Sequence, residues 1–169
     1  MEEYHEKKEN SIIIINFSNL LNNDGNSKCS VSINRTRIRS KKRSNLHSEI
    51  PAKITIAKDG SDMTIKASNV NYLDGQKVSV SIAGTDYFRN QMVLTNKETN
   101  TVMRYQIVKE DGTVIETTGT KDQANGVEIA AFTEDGEVNN KVLPVKLPSS
   151  KVGTYTGSIT FDIGLVDAE

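Results

Sequence analysis

The stretch YTGSITFDIGL, residues 155–165, decides the fold. Tyr155, Gly157, Ile159, Phe161, Ile163 and Leu165 are apolar or Gly, and Thr156, Ser158, Thr160, Asp162 and Gly164 lie between them. Successive side chains of an extended chain point to opposite faces, so this pattern makes a strand with one face on a core.

The same period recurs upstream in short runs: AKITIA (52–57), SDMTIKAS (61–68), QKVSVSIAG (76–84), QMVLTN (91–96), TVMRYQIVK (101–109), TVIETTG (113–119), GVEIAAF (126–132) and NKVLPVKL (140–147). Asp-Gly punctuates them at 59–60, 74–75, 111–112 and 135–136. Tight hairpins need positive φ, which Gly adopts freely and Asp tolerates. Short runs rich in Val, Ile, Thr and Tyr, separated by turn signals, predict an all-β sandwich or barrel. No window carries a 3.6-residue apolar stripe, and a short turn near Ser68–Leu73 is the most helix expected. Pro144, inside a strand-like run, marks an edge or a bulge because it cannot donate to a ladder.

The expected fold is therefore an antiparallel, Greek-key (Ig-like) β-sandwich of about 7–9 strands. Alternation assigns its core to Ile54, Ile56, Met63, Ile65, Val78, Val80, Ile82, Leu94, Tyr105, Ile107, Val127, Ile129, Val142, Ile159, Phe161 and Ile163.

Composition divides the chain of 169 residues in two. Residues 1–49 hold nine Lys/Arg against six Asp/Glu, whereas residues 50–169 hold twelve against sixteen, so the whole-chain charge of −1 hides two opposite halves. The reading is a poorly ordered N-terminal leader over 1–49 and a sandwich domain over 50–169. SIIIINFSNLL (11–21) is not a secretory core, since four Glu and two Lys precede it where such a signal is positive. The leader is expected to be disordered, a loosely attached extra strand, or the product of a misplaced start.

Function classes fall away next. Residues 50–169 contain no His, Cys or Trp. That removes Ser-His-Asp and Cys-His machinery, and imidazole or thiolate metal sites, from the domain. Glycoside hydrolysis needs only two carboxylates, but most acids here fall in turns or at outward strand positions. NNDGN (22–26) fails as an EF-hand, because its register puts Leu20 and Val31 at the terminal ligand positions. Acidic hairpin turns leave room only for weak, structural calcium. The expectation is no catalytic residue, no metal and no cofactor.

Two segments could bind a partner. RTRIRSKKR (35–43) supplies Arg35, Arg37, Arg39, Lys41, Lys42 and Arg43, a phosphate-neutralising set and the basis of an alternative nucleic-acid reading. It lacks the interleaved aromatics that stack on single-stranded bases, and it adjoins an acidic domain. TDYFRNQ (85–91) holds the only adjacent aromatics, Tyr87 and Phe88. If both faced solvent they would form a ligand platform; the simpler expectation sends one ring into the core.

Four pieces in order carry a family likeness: IPAKITI (50–56), NYLDGQKVSVSI (71–82), YFRNQMVLTNKETNTVMRYQI (87–107) and VLPVKLPSSKVGTYTGSITFDIGL (142–165). Together they resemble the small β-sandwich domains, WxL-type and pilin-like, of secreted and surface-anchored proteins of Gram-positive bacteria. The chain departs from them in having no Trp-x-Leu motif and no export signal. The resemblance implies an extracellular or cell-surface location and a non-enzymatic role in adhesion, surface assembly or structure. It further implies protein, cell-wall or glycan partners reached through loops or sheet edges, with self-association possible and a carbohydrate-directed domain as another alternative. Related modules form Lys–Asn or Lys–Asp isopeptide links, for which Lys53 and Asp162 are the strand-borne candidates. Leu147-Pro148, Gly153 and Tyr155 resemble a tyrosine corner, in which the Tyr hydroxyl bonds backbone a few residues upstream.

Overall fold

The computed structural model describes residues 11–21, 33–37, 46–51, 53–71, 73, 75–119, 122–146 and 153–168. Its first five strands are β1 (Ser11–Leu21), β2 (Ile33–Arg37), β3 (His47–Pro51), β4 (Lys53–Ile54) and β5 (Ser61–Ser68). The middle of the chain gives β6 (Gln76–Thr85), β7 (Val93–Asn96), β8 (Thr101–Val108) and β9 (Val114–Ile115). Last come β10 (Glu128–Phe132), β11 (Gly136–Lys146) and β12 (Gly153–Asp167). A three-residue 3-10 turn, Phe88–Asn90, is the only helical piece among the described residues. The all-β class follows the alternation of the sequence, and every pairing is antiparallel except that of β1 with β4.

Local chemistry sets the strand ends. In β5 the inward residues Met63, Ile65 and Ala67 are buried while Asp62 and Lys66 are exposed. Lys109 N donates to Thr113 O, and Gly112 N to Lys109 O, both at 2.8 Å, so the β8–β9 turn closes on Gly112 at φ +85°. Of the four Asp-Gly pairs, those ending in Gly60, Gly75 and Gly112 take positive φ, whereas Gly136 opens β11.

The pairings form one continuous sheet whose ends are approached again by the chain. β12 pairs β7, then β8, β11, β5 and β3 follow in order, and β2 lies beyond β3. β4 continues the chain from β3 and pairs β1, which runs along β12 from Ser11 beside Ile163 to Leu21 beside Gly153. β12 is long enough to serve two neighbours on one edge. Its residues 159–167 pair β6, which in turn pairs β10, and Thr156 pairs Thr95 of β7. Gly157 sits at this division. A Cβ there would stand 2.9 Å from Leu94 Cδ2 and 3.1 Å from Val93 O, so a larger residue enters only if Leu94 and the Val93 carbonyl shift.

The sheet takes in parts of the basic N-terminal segment: β1, β2, Leu46 and the first residues of β3. The composition shift at Ile50 falls within β3. In the register of β1, Ile13 stands beside Phe161 and Ile15 beside Ile159, which matches apolar residues of β1 to apolar residues of β12.

Pro144 lies where expected. β11 pairs β5 only up to Val142, and its ladder with β8 shifts between Pro144 and Lys146. Every residue assigned to the core by alternation is buried except Val127, which is half-buried against it. Leu46, Ile50, Met92, Phe132 and Tyr155 join them. Each fully buried Ile or Phe, such as Ile159 or Phe161, stabilises the fold by roughly 1.5–3 kcal/mol.

Candidate functional site

The chain between β6 and β7 leaves the edge of β12 and returns to it, and this excursion is the best-defined exposed feature among the described residues. It starts at Thr85. Thr85 Oγ1 donates to Gln91 O at 2.8 Å and accepts from Tyr87 N at 3.3 Å, while Thr85 N donates to Asn90 Oδ1 at 3.2 Å. One threonine and one asparagine thus close the base of a six-residue excursion. Asp86 ties the loop to β12: its N–H donates to Ser158 O at 3.2 Å, and its Oδ1 accepts from Ser158 N at 2.9 Å.

The second support is residues 117–119 and 122–124. Gln91, buried, donates through Nε2 to Gly119 O at 2.7 Å, and Met92 N donates to Thr117 Oγ1 at 2.7 Å. Ala124 N donates to Asn90 O at 3.3 Å. That second loop has its own lock. Asp122 Oδ2 accepts from Gly119 N at 2.5 Å and Thr118 N at 3.0 Å, and these bonds, Gly119 first, hold its carboxyl below the usual range. The Arg104 guanidinium donates to Thr117 O from beneath.

Within this frame Arg89 and Asn90 both take left-handed backbone, at φ 54° and φ 52°. A non-Gly residue there costs on the order of 1–3 kcal/mol, less for Asn, and persists only where surrounding bonds fix it. The consequence is the position of Phe88, whose side of the turn is thrown outward: the residue is 69% exposed. The Arg89 guanidinium carbon lies 5.3 Å from the Phe88 ring centroid, within cation–π range. Tyr87 is half-buried. Neither ring enters the core, contrary to the simpler expectation, because the bonds of Asp86 to Ser158 hold the chain at the sheet edge.

A second feature lies at the far side of β6. Lys109, Glu110, Asp111, Glu128, Ile129, Ala130, Ala131 and Val138 line an open groove of about 350 Å³ beside β10. Asn140, fully buried on β11, spans to it: Nδ2 donates to Ile129 O at 3.0 Å, and Oδ1 accepts from Glu110 N at 3.3 Å. Glu128 is held by Ser79 Oγ at 2.6 Å and Lys77 Nζ at 3.2 Å.

The residues singled out from sequence are placed as follows. Arg35 and Arg37 lie on β2, in register with Glu49 and His47 of β3; Arg39, Lys41, Lys42 and Arg43 lie outside the described residues, as does NNDGN. Gly153 begins β12 at φ +148°, and an added Cβ would collide with the Asn96 side-chain amide. Tyr155 is buried, and its hydroxyl meets Thr101 Oγ1 of β8 at 2.9 Å; residues 147–152, where a tyrosine corner would find its acceptor, lie outside the described residues. Lys53 and Asp162 do not adjoin. β1 separates their strands, and Lys53 aligns through Asn16 with Ser158, four residues from Asp162, a separation on the order of 16 Å. Among the acidic turns, Asp111 Oδ1 accepts from Thr113 N and Asp135 Oδ1 from Val70 N. Among the described residues no three His, Cys, Asp or Glu side chains stand close enough to share a metal ion, and no helix is long and apolar enough to cross a membrane.

The signal that could have located the loop was present in TDYFRNQ, but its bonds reach residues 25 to 72 positions away. The chain matches no protein-family model, no curated protein and no solved structure.

Proposed function

We propose that this chain is a non-enzymatic binding module of the extracytoplasmic, Ig-like sandwich kind that its sequence resembles, and that it engages its partner through residues 85–92. The observation that carries this is the combination at Phe88: a large apolar side chain, 69% exposed, on a loop fixed by bonds to β6, β12, Thr117, Gly119 and Ala124. An exposed ring on a mobile loop would lose conformational entropy on binding. A ring on a pre-fixed loop does not, and aromatic and Arg side chains are enriched among residues that dominate interfaces. Phe88 and Arg89 supply both types side by side.

The surface location rests on the resemblance, and with it the choice of partner: a component of the bacterial envelope. The test is binding of the labelled chain to cell walls purified from a Gram-positive bacterium, for the wild type and for Phe88→Ala. Loss of an interface-dominating residue costs about 2 kcal/mol or more, which is roughly a thirty-fold loss of affinity. Wild-type binding that Phe88→Ala leaves unchanged, or no wild-type binding at all, overturns the proposal.

A further inference from the structure

Besides the two-residue strands β4 and β9, two strands have a neighbour on one side only among the described residues, β10 at one end of the strand order and β2 at the other. We propose that these edges are complementary, and that β2 of one copy adds to β10 of a second copy, joining chains head to tail.

The β10 edge is open in a defined place. Ile82 N donates to Val127 O, and Ile82 O accepts from Gly126 N. Alternation along an antiparallel pair then directs Val80 and Val78 at their register partners Ala130 and Phe132. Ile129 and Ala131 therefore present their backbone groups away from β6. Ile129 O is taken by Asn140, which fits this assignment. Ala131 is exposed and stands opposite Ser79, at the position where this alternation turns the backbone groups outward. The groove alongside gives an incoming strand room, and Glu110 and Asp111 on its far wall are exposed carboxylates.

The occupant is argued from charge and length. β2 and β10 are both five residues long. β10 reads EIAAF, acidic at its start and apolar at its end; β2 reads INRTR, apolar at its start and basic at its end. Laid antiparallel, the Arg35–Arg37 end of β2 runs beside Glu110, and beside Glu128 and Asp111, which already pair with Lys77 and Lys109, while Ile33 lies beside Phe132. Laid parallel, the basic end meets Phe132 and the match is lost. Opposite charges and aromatic–aliphatic pairs across strands favour the antiparallel arrangement. The opposite net charges of residues 1–49 and 50–169 act in the same sense. Because the two edges differ, the contact is heterologous and extends to further copies unless a rotation closes it into a ring. Added strands of this kind draw affinity from main-chain bonds.

Sedimentation velocity of the whole chain tests this, over a concentration series in dilute buffer and in molar salt. The expected result is a mass that rises with concentration past the dimer in dilute buffer and falls in high salt, where the charge pairing is screened. Arg37→Glu removes the basic end of β2. Ala131→Pro removes an outward N–H that no β6 bond uses, and Glu110→Lys, which keeps every backbone donor, serves if the Pro variant fails to fold. Each variant alone is expected to be monomeric. Mixed, Arg37→Glu (intact β10) and Ala131→Pro (intact β2) should form a 1:1 pair and nothing larger. A wild-type monomer at every concentration, a fixed dimer indifferent to these variants, or a mixture that stays monomeric overturns the proposal. Phe88→Ala should leave the association unchanged, which separates its failure from that of the loop-binding proposal.

Discussion

The hydroxyl of Thr85 donates to the carbonyl of Gln91 across the base of the 85–92 loop, at 2.8 Å, and accepts from Tyr87 N in turn. Two bonds on one side chain make it the latch of the candidate site. Thr85→Val keeps the shape and removes both bonds. A typical hydrogen bond contributes about 0.5–1.5 kcal/mol, so the variant should unfold at lower denaturant by about 1–2 kcal/mol. Amide exchange of residues 87–91 should speed up by more than that of the core. A loop that exchanges at the wild-type rate in this variant would show that Thr85 is no latch.

Asn140 links β11 to the edge strand β10. It is fully buried, and its amide meets both Ile129 O and Glu110 N. Removing it leaves the buried acceptor Ile129 O unmet, at about 1–3 kcal/mol, and loses the partly buried bond to Glu110 N, at about 0.5–1.5 kcal/mol. Asn140→Ala should therefore destabilise by about 3 kcal/mol in equilibrium urea unfolding. A loss below about 1 kcal/mol, the low end of a single unmet group, would show that water replaces the side chain without penalty.

Tyr155 and Thr101 hold β12 to β8 past the short β7, hydroxyl to hydroxyl at 2.9 Å. Tyr155→Phe should cost about 0.5–1.5 kcal/mol. A double-mutant cycle with Thr101→Val locates the cost: coupling at or above about 0.5 kcal/mol assigns it to this pair. Independent, additive effects would place it on another partner of Tyr155.

The Asp122 carboxyl is held below its ordinary range by the amides of Gly119 and Thr118. A lowered folded pKa means that the stabilisation is present above the unfolded value, near 3.9, and is lost as pH falls through the folded value beneath it. The loop 117–119 should therefore stay closed through mildly acidic pH and open only below that range. Amide shifts of Thr118 and Gly119 followed by NMR against pH report this directly; a transition at or above the ordinary Asp value contradicts it. Asp122→Asn should remove the pH dependence.

How much of this was legible depended on the range of the interactions. YTGSITFDIGL declared a strand because its alternation is local, and Ile159, Phe161 and Ile163 all face the core. The alternation of NKVLPVKL starts four residues after the strand does, since β11 begins at Gly136 and buries Asn140 by bonding it to another strand. TVIETTG yields only Val114–Ile115 as strand. Beyond Ile115 the chain gives up ladder pairing, and Thr117 and Gly119 instead serve the 85–92 loop. AKITIA likewise has only two paired residues among those described, although Ile56 is fully buried. The aromatic pair Tyr87–Phe88 was visible as a candidate, but its direction was not. That direction follows from Asp86 bonding Ser158, a contact spanning most of the domain. The apolar run 11–21 was equally visible, and the registers with β12 and β4 give it its partners.

The central claim is that Phe88 is held outward on a loop fixed before any partner arrives. Backbone relaxation of the isolated chain in solution measures this most directly. Order parameters of about 0.85 at Phe88, Arg89 and Asn90, equal to those of β6 and β12, are the expected result. Values below about 0.6 across these three residues would contradict it.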